Sequence, residues 1–400
     1  MCQSRADQNR GCGEGLPLPT LEEKVAFLSD TRSYDGSVTR VEVRETHMSW
    51  VFLAGDYVFK LKKPVRFPYL DFSTLAKRQM ACRAEVELNR RLAPDVYLGA
   101  VPLCVSANGL AIGEGIAAVD WLVKMRRLNE GRMLDNLIAR KQVDRRSLDA
   151  MVLKLSGFYR HANPVFLLPE IYLKQWKLNL QQNFTVLVDP RFGLPMGQIR
   201  YCDAALRQFF RQWYFVLLNR LQQRRIVDGH GDLRPEHIWL GDDVKIIDCI
   251  EFNARLRAVD PLDESAYLDL ECEHLGAGGI GGYIRPRVVR ALHDRPPFSL
   301  YCFYRCNRAM LRARLSIAHL LAPSPRTPEK WRPRALAYLR IAAADARQLA
   351  KALRIPEDRK AVAPRAGGVW LQPEVAHTLE LPPYCASGPA SRGKAERCRW

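Results

Sequence analysis

The 400-residue sequence lacks the features that mark several classes of protein. No run of eighteen or more apolar residues occurs, so no membrane-spanning helix is predicted. The first twenty residues contain no apolar core of a signal peptide, and we expect a cytoplasmic protein. The eleven cysteines are an odd number and follow no disulfide framework, which is typical of reduced thiols. Cys302 and Cys306 have no second pair nearby, which favours buried thiols over a metal site.

The charge of the chain is strongly one-sided, with 61 Lys and Arg residues against 43 Asp and Glu residues and a formal net charge of +18. Such an excess attracts polyanions, so a nucleic-acid-binding protein is one hypothesis. No arginine-rich tract interleaved with aromatic residues supports it, and we expect neither nucleic acid nor a membrane as a partner. Hydrophobic residues make up 48% of the chain, which is enough for a substantial core.

The most informative stretch is His230–His237, which reads HGDLRPEH and is followed by an apolar run and Asp248. Between them, Ile238–Ile247 is predicted to form a β-hairpin. The hairpin would bring Asp232 and Asp248 to opposite sides of one phosphate. In such a pair, one carboxylate accepts or orients the proton of a hydroxyl nucleophile, and the other holds Mg²⁺ against the phosphates of a nucleotide.

The order of the predicted elements indicates an α+β protein with a small β-rich N-lobe and a larger, mainly helical C-lobe. We predict a disordered N-terminus over residues 1–18, an N-lobe over 19–125, a C-lobe over 126–355 and a loosely ordered tail over 356–400. The predicted strands are Val38–Glu45, Ser49–Ala54, Tyr57–Lys62, Tyr97–Val105, Gly109–Ile116 and Ala118–Lys124. The predicted helices are Leu21–Leu28, Ser73–Leu92, Arg146–His161, Glu170–Val186, Cys202–Arg225, Leu262–His274, Leu300–Leu321 and Pro333–Leu353.

Two motifs together carry a family resemblance. Glu45–Arg78 contains ETHMSWVFL and KKPVRFPYLDFSTLAKR, and the HGD motif is followed by Ile246-Ile247-Asp248. Over residues 40–275 the chain resembles the aminoglycoside phosphotransferase-like branch of the kinase-like superfamily, above all uncharacterised bacterial proteins of that family. The resemblance implies a two-lobed protein-kinase-like fold and ATP-dependent phosphotransfer to a hydroxyl of a small molecule. It implies ATP, with GTP possible, and Mg²⁺, with Mn²⁺ possible, as cofactors.

The resemblance also implies roles for residues of the N-lobe. Lys60 matches the strand lysine that contacts the α- and β-phosphates of the nucleotide. Lys62 points to the same side of the strand and stays an alternative. Glu85 lies where the family has the glutamate that orients this lysine, and Glu87 is a neighbouring candidate on the opposite side of the helix.

In the C-lobe, the resemblance makes Asp232 the catalytic carboxylate, close to the substrate hydroxyl. Arg234 would neutralise charge on the transferred phosphoryl group. His230, grouped with these catalytic residues, is expected to support the loop through hydrogen bonds. Asp248 matches the aspartate that binds the metal ion. The segment Asp260–Glu264 resembles the family's DPxxD segment, and we interpret it as structural.

One departure concerns His237, which stands where the family has a metal-binding Asn. Mg²⁺ prefers oxygen ligands, so an imidazole there is a poor substitute. Three outcomes follow: Mg²⁺ held mainly by Asp248 and phosphates, a preference for Mn²⁺ with His237 as a ligand, or lost catalysis. The chain also lacks a Gly-rich loop over the phosphates.

Three functions therefore stay open. The first is a phosphotransferase, and the second is a catalytically impaired pseudokinase or nucleotide-binding regulatory module. The third is a nucleic-acid-binding protein. The acceptor cannot be identified from the motifs, although the net charge of +18 argues against a polyamine-like compound. Some members of this branch carry an additional P-loop kinase domain. No GxxxxGK[ST] motif occurs here, so we expect the phosphotransferase-like part alone.

Overall fold

The structure is a computed structural model, which describes residues 18–321, 325 and 327–354. Of the predicted disordered N-terminus only Leu18 belongs to this set, and the predicted tail lies outside it. The strands are β1 (Val41–Glu45), β2 (Ser49–Ala54), β3 (Tyr57–Lys62), β4 (Arg66–Phe67), β5 (Leu70–Asp71), β6 (Tyr97–Ser106), β7 (Gly109–Ile112), β8 (Ala117–Arg126), β9 (Val227–Asp228), β10 (Ile238–Leu240), β11 (Val244–Ile246) and β12 (Ala258–Val259).

The helices alternate with these strands early in the chain and dominate its second half. They are α1 (Leu21–Ser29), α2 (Leu75–Arg90), α3 (Leu134–Ala139), α4 (Arg145–His161), α5 (Pro169–Leu187), α6 (Met196–Gln222), α7 (Ala254–Arg257), α8 (Pro261–His274), α9 (Gly279–Ala291), α10 (Phe298–Ala318) and α11 (Pro328–Arg354). No helix in the described ranges has both the length and the apolar composition needed to cross a bilayer.

The chain divides into two compact units. Among the described residues, the first contains those up to Arg66 together with Asp71–Val86 and Tyr97–Arg127. The second contains Phe67–Leu70, Glu87–Val96 and the described residues from Leu128 onward. The first unit holds a large sheet and the second is mainly helical, which confirms the predicted α+β class. The sequence did not predict that two short segments within residues 67–96 belong to the second unit.

The first unit is built on a six-stranded sheet in the order β1-β2-β3-β8-β6-β7, with every neighbouring pair antiparallel. The observed bounds of β2 and β3 are the predicted ones. Gly55 begins their turn with φ +58°, a conformation that glycine adopts without steric cost. Phe52, Leu61 and Leu122 are fully buried in the core of this unit, as the alternation along the strands requires.

A buried ion cluster fixes the helices of the first unit to its sheet. The Asp120 carboxylate on β8 accepts hydrogen bonds from Lys24 of α1 at 2.9 Å and from Arg78 Nε of α2 at 2.7 Å. Asp120 is 2% exposed, so the two cations compensate for its lost hydration. The cluster fixes the position of α2, and therefore the position of Glu85, which lies two helical turns beyond Arg78.

The second unit has a core rich in aromatic side chains. Trp176 of α5 stacks on Tyr304 of α10 with ring centroids 5.6 Å apart, and Phe209 of α6 stacks on Phe303 at 4.4 Å. Cys302 and Cys306 are buried in the same core as free thiols.

The Asp260–Glu264 segment begins α8: the Asp260 side chain accepts from Leu262 N, and Pro261 takes the first helical position. Arg220 forms a buried ion pair with Asp260 at 2.6 Å.

The sequence prediction missed α9 and began α6 at Cys202 instead of Met196. Neither helix has a side chain that caps its first turn, because their N-cap residues are Gly278 and Pro195. Helix α9 also contains Pro286 and several glycines, which are typical of turns rather than helices. Its burial against neighbouring helices outweighs these local preferences.

Candidate active site

The HGD loop lies between β9 and a short 3₁₀ helix, Pro235–His237. Pro235 takes the first position of that helix, where its missing N–H costs nothing. The predicted hairpin follows, with Ile238 paired to Ile246 and Leu240 to Val244. This arrangement places the loop and the residues after β11 side by side, as the spacing predicted.

Asp232 is held in one orientation but remains accessible, with 28% of its side chain exposed. Its Oδ1 accepts from the Tyr267 hydroxyl at 3.1 Å, and its Oδ2 lies 3.0 Å from Arg234 Nη2. Burial raises the pKa of this carboxyl, but the neighbouring positive charge, chiefly that of Arg234, outweighs burial and lowers the pKa to about 2. The group is therefore an ionised carboxylate near neutral pH.

Arg234 connects three side chains of the loop. Besides Asp232, its Nη1 pairs with Glu236 Oε1 at 2.5 Å, and its Nη2 lies 3.2 Å from His237 Nε2. Burial opposes its charge, but the two carboxylates keep the pKa of the guanidinium raised. The positive charge of Arg234 is therefore permanent and held next to Asp232.

The His237 ring has a defined role for each nitrogen. Its Nδ1 lies 2.9 Å from the Asp232 carbonyl oxygen, so Nδ1 carries a proton and donates it there. That leaves Nε2 as the acceptor of the Arg234 hydrogen bond. The same Nε2 lies 4.0 Å from Asp248 Oδ2. A neutral imidazole whose other nitrogen is fixed by a backbone carbonyl is also the usual state of a metal-binding histidine.

Asp248 adopts the left-handed backbone conformation, with φ +59°. Such a conformation costs of order 1 kcal/mol or more and persists where neighbouring groups enforce it. Here Ile247 N donates to His237 O at 2.9 Å, and Cys249 N donates to Asn89 Oδ1 at 2.9 Å. These bonds fix the backbone on both sides of Asp248, whose side chain is 29% exposed.

His230 uses both ring nitrogens to hold this backbone. Its Nε2 lies 2.9 Å from the Ile247 carbonyl oxygen, so Nε2 donates, and Nδ1 accepts from Asp232 N at 3.3 Å. Burial lowers the pKa of His230 to about 4, so the ring is neutral near pH 7. The geometry agrees with the expectation that His230 supports the loop.

The sequence analysis missed the role of Glu264. This fully buried carboxylate accepts from His230 N at 3.0 Å and from Gly231 N, and it also accepts from the Tyr159 hydroxyl. Gly231 has φ +87°, and a Cβ there would lie 3.1 Å from Leu256 O, so a larger residue would be strained and crowded. The only signal in the sequence was the place of Glu264 in the DPLDE segment, which was interpreted as structural.

The predicted N-lobe residues meet in the first unit. Lys60 Nζ lies 2.9 Å from Glu85 Oε1, and Lys62 Nζ lies 2.6 Å from Glu85 Oε2. Both lysines therefore contact the same carboxylate, and Glu87 is exposed. The side chains of Glu85 and Lys62 are each 1% exposed, whereas that of Lys60 is 18% exposed. We call these three residues the lysine set, and Asp232, Arg234, His237 and Asp248 the aspartate set.

The aspartate set fits a divalent cation that a nucleotide would help to bind. Among the described residues, no three His, Cys, Asp or Glu side chains are arranged to hold a metal ion. Mg²⁺ in nucleotide sites is commonly bound by one or two carboxylates and completed by phosphates and water, so such a protein cage is not required. Two ligand atoms at about 2.1 Å from one ion are at most about 4.2 Å apart. The 4.0 Å between His237 Nε2 and Asp248 Oδ2 is within that limit.

Comparison with known proteins gives relatives without an established function. No protein-family model matches the chain. It is 32% identical over 292 residues to the uncharacterized protein Rv2004c of Mycobacterium tuberculosis, and equally to the uncharacterized protein Mb2027c of Mycobacterium bovis. The match covers 71% of this chain but 56% of each relative, so the chain spans about half the length of the curated relatives that it matches.

Among solved structures, the chain is similar to a choline/ethanolamine kinase family protein from Mesorhizobium loti, with 14% identity and a TM-score of 0.46 over 82% of this chain and 99% of that chain. It is also similar to a thermostable mutant of the aminoglycoside phosphotransferase APH(4)-Ia, with 11% identity and a TM-score of 0.47 over 78% and 96%. At these identities and TM-scores, the likeness carries no conclusion about what this chain does.

Proposed function

We propose that this chain is an ATP-dependent phosphotransferase that moves the γ-phosphoryl group to a hydroxyl of a small molecule. The observation that carries the proposal is the aspartate set itself. A short loop and a hairpin bring an ionised, accessible Asp232 and a conformationally fixed Asp248 to the same imidazole, with a permanent positive charge beside them. Phosphoryl transfer needs this combination, because its transition state depends on positioning and on charge neutralisation.

In the proposed reaction, the oxygen of the acceptor hydroxyl attacks the γ-phosphorus of ATP. The bond between that phosphorus and the bridging oxygen breaks, and ADP leaves with the electron pair. The hydroxyl proton passes to Asp232 Oδ2 or is oriented by it, and then reaches solvent. A carboxylate with a pKa of about 2 is a weak base, so we assign Asp232 mainly to orienting the hydroxyl.

Arg234 would act on the charge of the transferred group. Its Nη2 is 3.0 Å from Asp232 Oδ2, so it lies next to the carboxylate that would orient the acceptor hydroxyl. The pairing with Glu236 at 2.5 Å holds the guanidinium in place. A fixed cation at this point stabilises negative charge that develops during transfer.

Asp248 would hold the divalent cation, with His237 Nε2 as a second ligand when the ion is Mn²⁺. When bound there, a divalent cation would supply positive charge that offsets the negative charge of the phosphates. Glu85 would keep the ammonium group of Lys60 or Lys62 in place for the α- and β-phosphates. ATP is the proposed donor, and GTP is the alternative.

Calorimetric titration with a non-hydrolysable ATP analogue tests the proposal, in Mg²⁺, in Mn²⁺ and in EDTA. We expect binding that requires the metal ion and that falls at least about tenfold in Asp248→Ala, because a charged ligand is removed. Asp242→Ala is the matched control, since Asp242 lies exposed in the turn of the same hairpin. Equal binding in EDTA and in Asp248→Ala would overturn the proposed metal site.

A catalytically impaired nucleotide-binding module is the second candidate, and one observation favours it. His237 Nε2 accepts a hydrogen bond from Arg234, so the lone pair that would face a metal ion already has a partner. His237→Asn separates the two candidates in an assay of ATP turnover. If His237 is a working residue, we expect turnover to fall and the ratio of Mn²⁺- to Mg²⁺-supported activity to drop severalfold. A gain of turnover would identify an impaired site.

A further inference from the structure

An open groove of about 540 Å³ lies in the second unit, where α9 ends. One wall is a face of α9, on which Arg285 and Val289 lie one helical turn apart. The other wall is the loop His293–Pro296, which leads to α10. The volume is within the usual range of small-molecule sites. Exposed side chains on both walls, among them Arg290 and Arg295, make the groove accessible to a ligand.

Three arginines dominate the charge of this groove. Arg285, Arg290 and Arg295 all line it, and none of them has a carboxylate partner among the described residues. Asp294 also lines the groove, but its carboxylate is already bound. Arg220 donates to it from Nη1 at 2.7 Å and from Nη2 at 2.6 Å. The groove therefore presents three positive charges that the acidic side chain on its wall does not neutralise.

The neighbouring charged groups preserve this excess. Arg220 also binds Asp260 at 2.6 Å, and Arg225 Nη1 donates to Leu292 O at 3.0 Å, just before the loop. With these neighbours included, five arginines stand against Asp260 and Asp294, which gives a local net charge of +3. Such a groove repels cations and attracts anions of high charge.

Contacts behind the groove fix both of its walls. The Arg285 guanidinium carbon lies 4.3 Å from the ring centroid of Tyr301 on α10, so the side chain is held by stacking. Asp294 N donates to Val289 O at 3.0 Å, which joins the loop to the end of α9. The pair between Asp294 and Arg220 holds the loop from its buried side. The groove is thus formed without a ligand, which lowers the entropic cost of binding one.

We propose that this groove binds an organic molecule that carries two or more phosphate groups. Guanidinium groups pair with phosphate oxygens through two parallel hydrogen bonds, and three of them suit more than one phosphate. Val289 and Pro296 line the same groove and would contact the carbon atoms of the molecule. The phosphates may belong to a soluble compound or to a lipid headgroup. This site goes beyond the proposed phosphotransfer and does not depend on it.

Calorimetric titration of the full chain with inorganic tripolyphosphate in EDTA tests the proposal. EDTA removes the metal ion that nucleotide binding at the aspartate set would require. We expect one molecule to bind per chain, and to bind more tightly than orthophosphate, because several phosphates reach more than one arginine. Asp248→Ala and Lys60→Met should bind like the wild type. Binding of several molecules per chain with equal weak affinity would show general attraction to the basic surface and would overturn the proposal.

Arg290→Gln should weaken the binding of tripolyphosphate at least about tenfold, because a charge-assisted pair is lost at an exposed position that does not affect folding. Arg285→Gln should weaken it as much, with thermal unfolding measured beside it because the contact with Tyr301 is also lost. Arg287→Gln is the matched control. It removes the same charge from α9, but Arg287 lies over the Tyr283 ring at 3.5 Å and not in the groove. Equal losses in Arg287→Gln and Arg290→Gln would rule out the groove as the site.

Sedimentation with vesicles identifies the source of the phosphates. The vesicles are phosphatidylcholine with and without phosphatidylinositol 4,5-bisphosphate. Sedimentation that requires the bisphosphate lipid and is lost in Arg290→Gln would assign the groove to a lipid headgroup. Binding of tripolyphosphate alone, with the same loss in Arg290→Gln, would assign it to a soluble compound. If neither probe binds, the proposal is wrong, whatever the outcome of the assays of ATP turnover.

Discussion

The lysine set and the aspartate set are both compact groups of charged side chains, but they differ in charge and in exposure. Two ammonium groups and one carboxylate give the lysine set a charge of +1, and two carboxylates and one guanidinium give the aspartate set −1 with a neutral His237. Glu85 and Lys62 are 1% exposed, whereas Asp232 and Asp248 are 28% and 29% exposed. The first set therefore suits an anion, and the second suits a cation and a proton.

The backbone differs in the same way. The lysine set lies on a regular strand and a regular helix, where backbone geometry costs nothing. The aspartate set lies on a loop with Gly231 at φ +87° and Asp248 at φ +59°. Buried partners, above all Glu264 and Asn89, fix that loop from outside it. Backbone strain at Asp248, and none in the lysine set, indicates that the precise position of Asp248 matters.

Asp232→Asn should have the largest effect, because it removes the carboxylate while preserving size and the bond from Tyr267. We expect kcat to fall about 10³-fold, within the range of general acid–base contributions, with little change in nucleotide affinity. Asp242→Asn in the exposed hairpin turn should keep full activity. A fully active Asp232→Asn variant would show that Asp232 neither orients nor accepts the proton of the acceptor hydroxyl.

The second prediction concerns the pH dependence of stability. The folded-state pKa of His230 is about 4, below its usual value of 6.5, so between these pH values the unfolded chain binds a proton that the folded chain does not. The free energy of unfolding should therefore fall as the pH drops from 6.5 to 4, by up to about 3 kcal/mol from this residue.

Denaturant unfolding at pH 7, 5.5 and 4.5 measures this slope. His230→Asn should lower stability at pH 7 and flatten the slope, because the titrating group is removed. His161→Asn is the control, since His161 is exposed. If the free energy of unfolding changed with pH equally in the wild type and in His230→Asn, His230 would not be the neutral residue that we infer to support the loop.

The smallest predicted effect separates the two lysines of the lysine set. Lys60→Met should raise the Kd of the ATP analogue about tenfold with little loss of stability, because the more exposed ammonium group is the one that phosphate can reach. Lys62→Met should mainly lower the free energy of unfolding, because it removes half the compensation of the buried Glu85. The reverse pattern would assign the phosphate contact to Lys62.

The sequence by itself determined much of the local structure. Alternating β-branched and aromatic residues around Gly55 fixed β2 and β3, and therefore put Lys60 and Lys62 on one side of a strand. The spacing between Asp232 and Asp248 left room for one short hairpin, which brings their chain segments together. Such features depend on neighbours in the chain, and a single sequence contains that information.

Only the tertiary structure decided which distant residues complete each set. Glu264 and Asn89 support the loop from far along the chain, and neither the DPLDE segment around Glu264 nor the sequence around Asn89 indicates this contact. The alternation of side chains along the strand could not decide whether Lys60 or Lys62 pairs with Glu85, and in the structure both contact it. These assignments depend on burial and on contacts between remote segments, which arise only when the chain has folded.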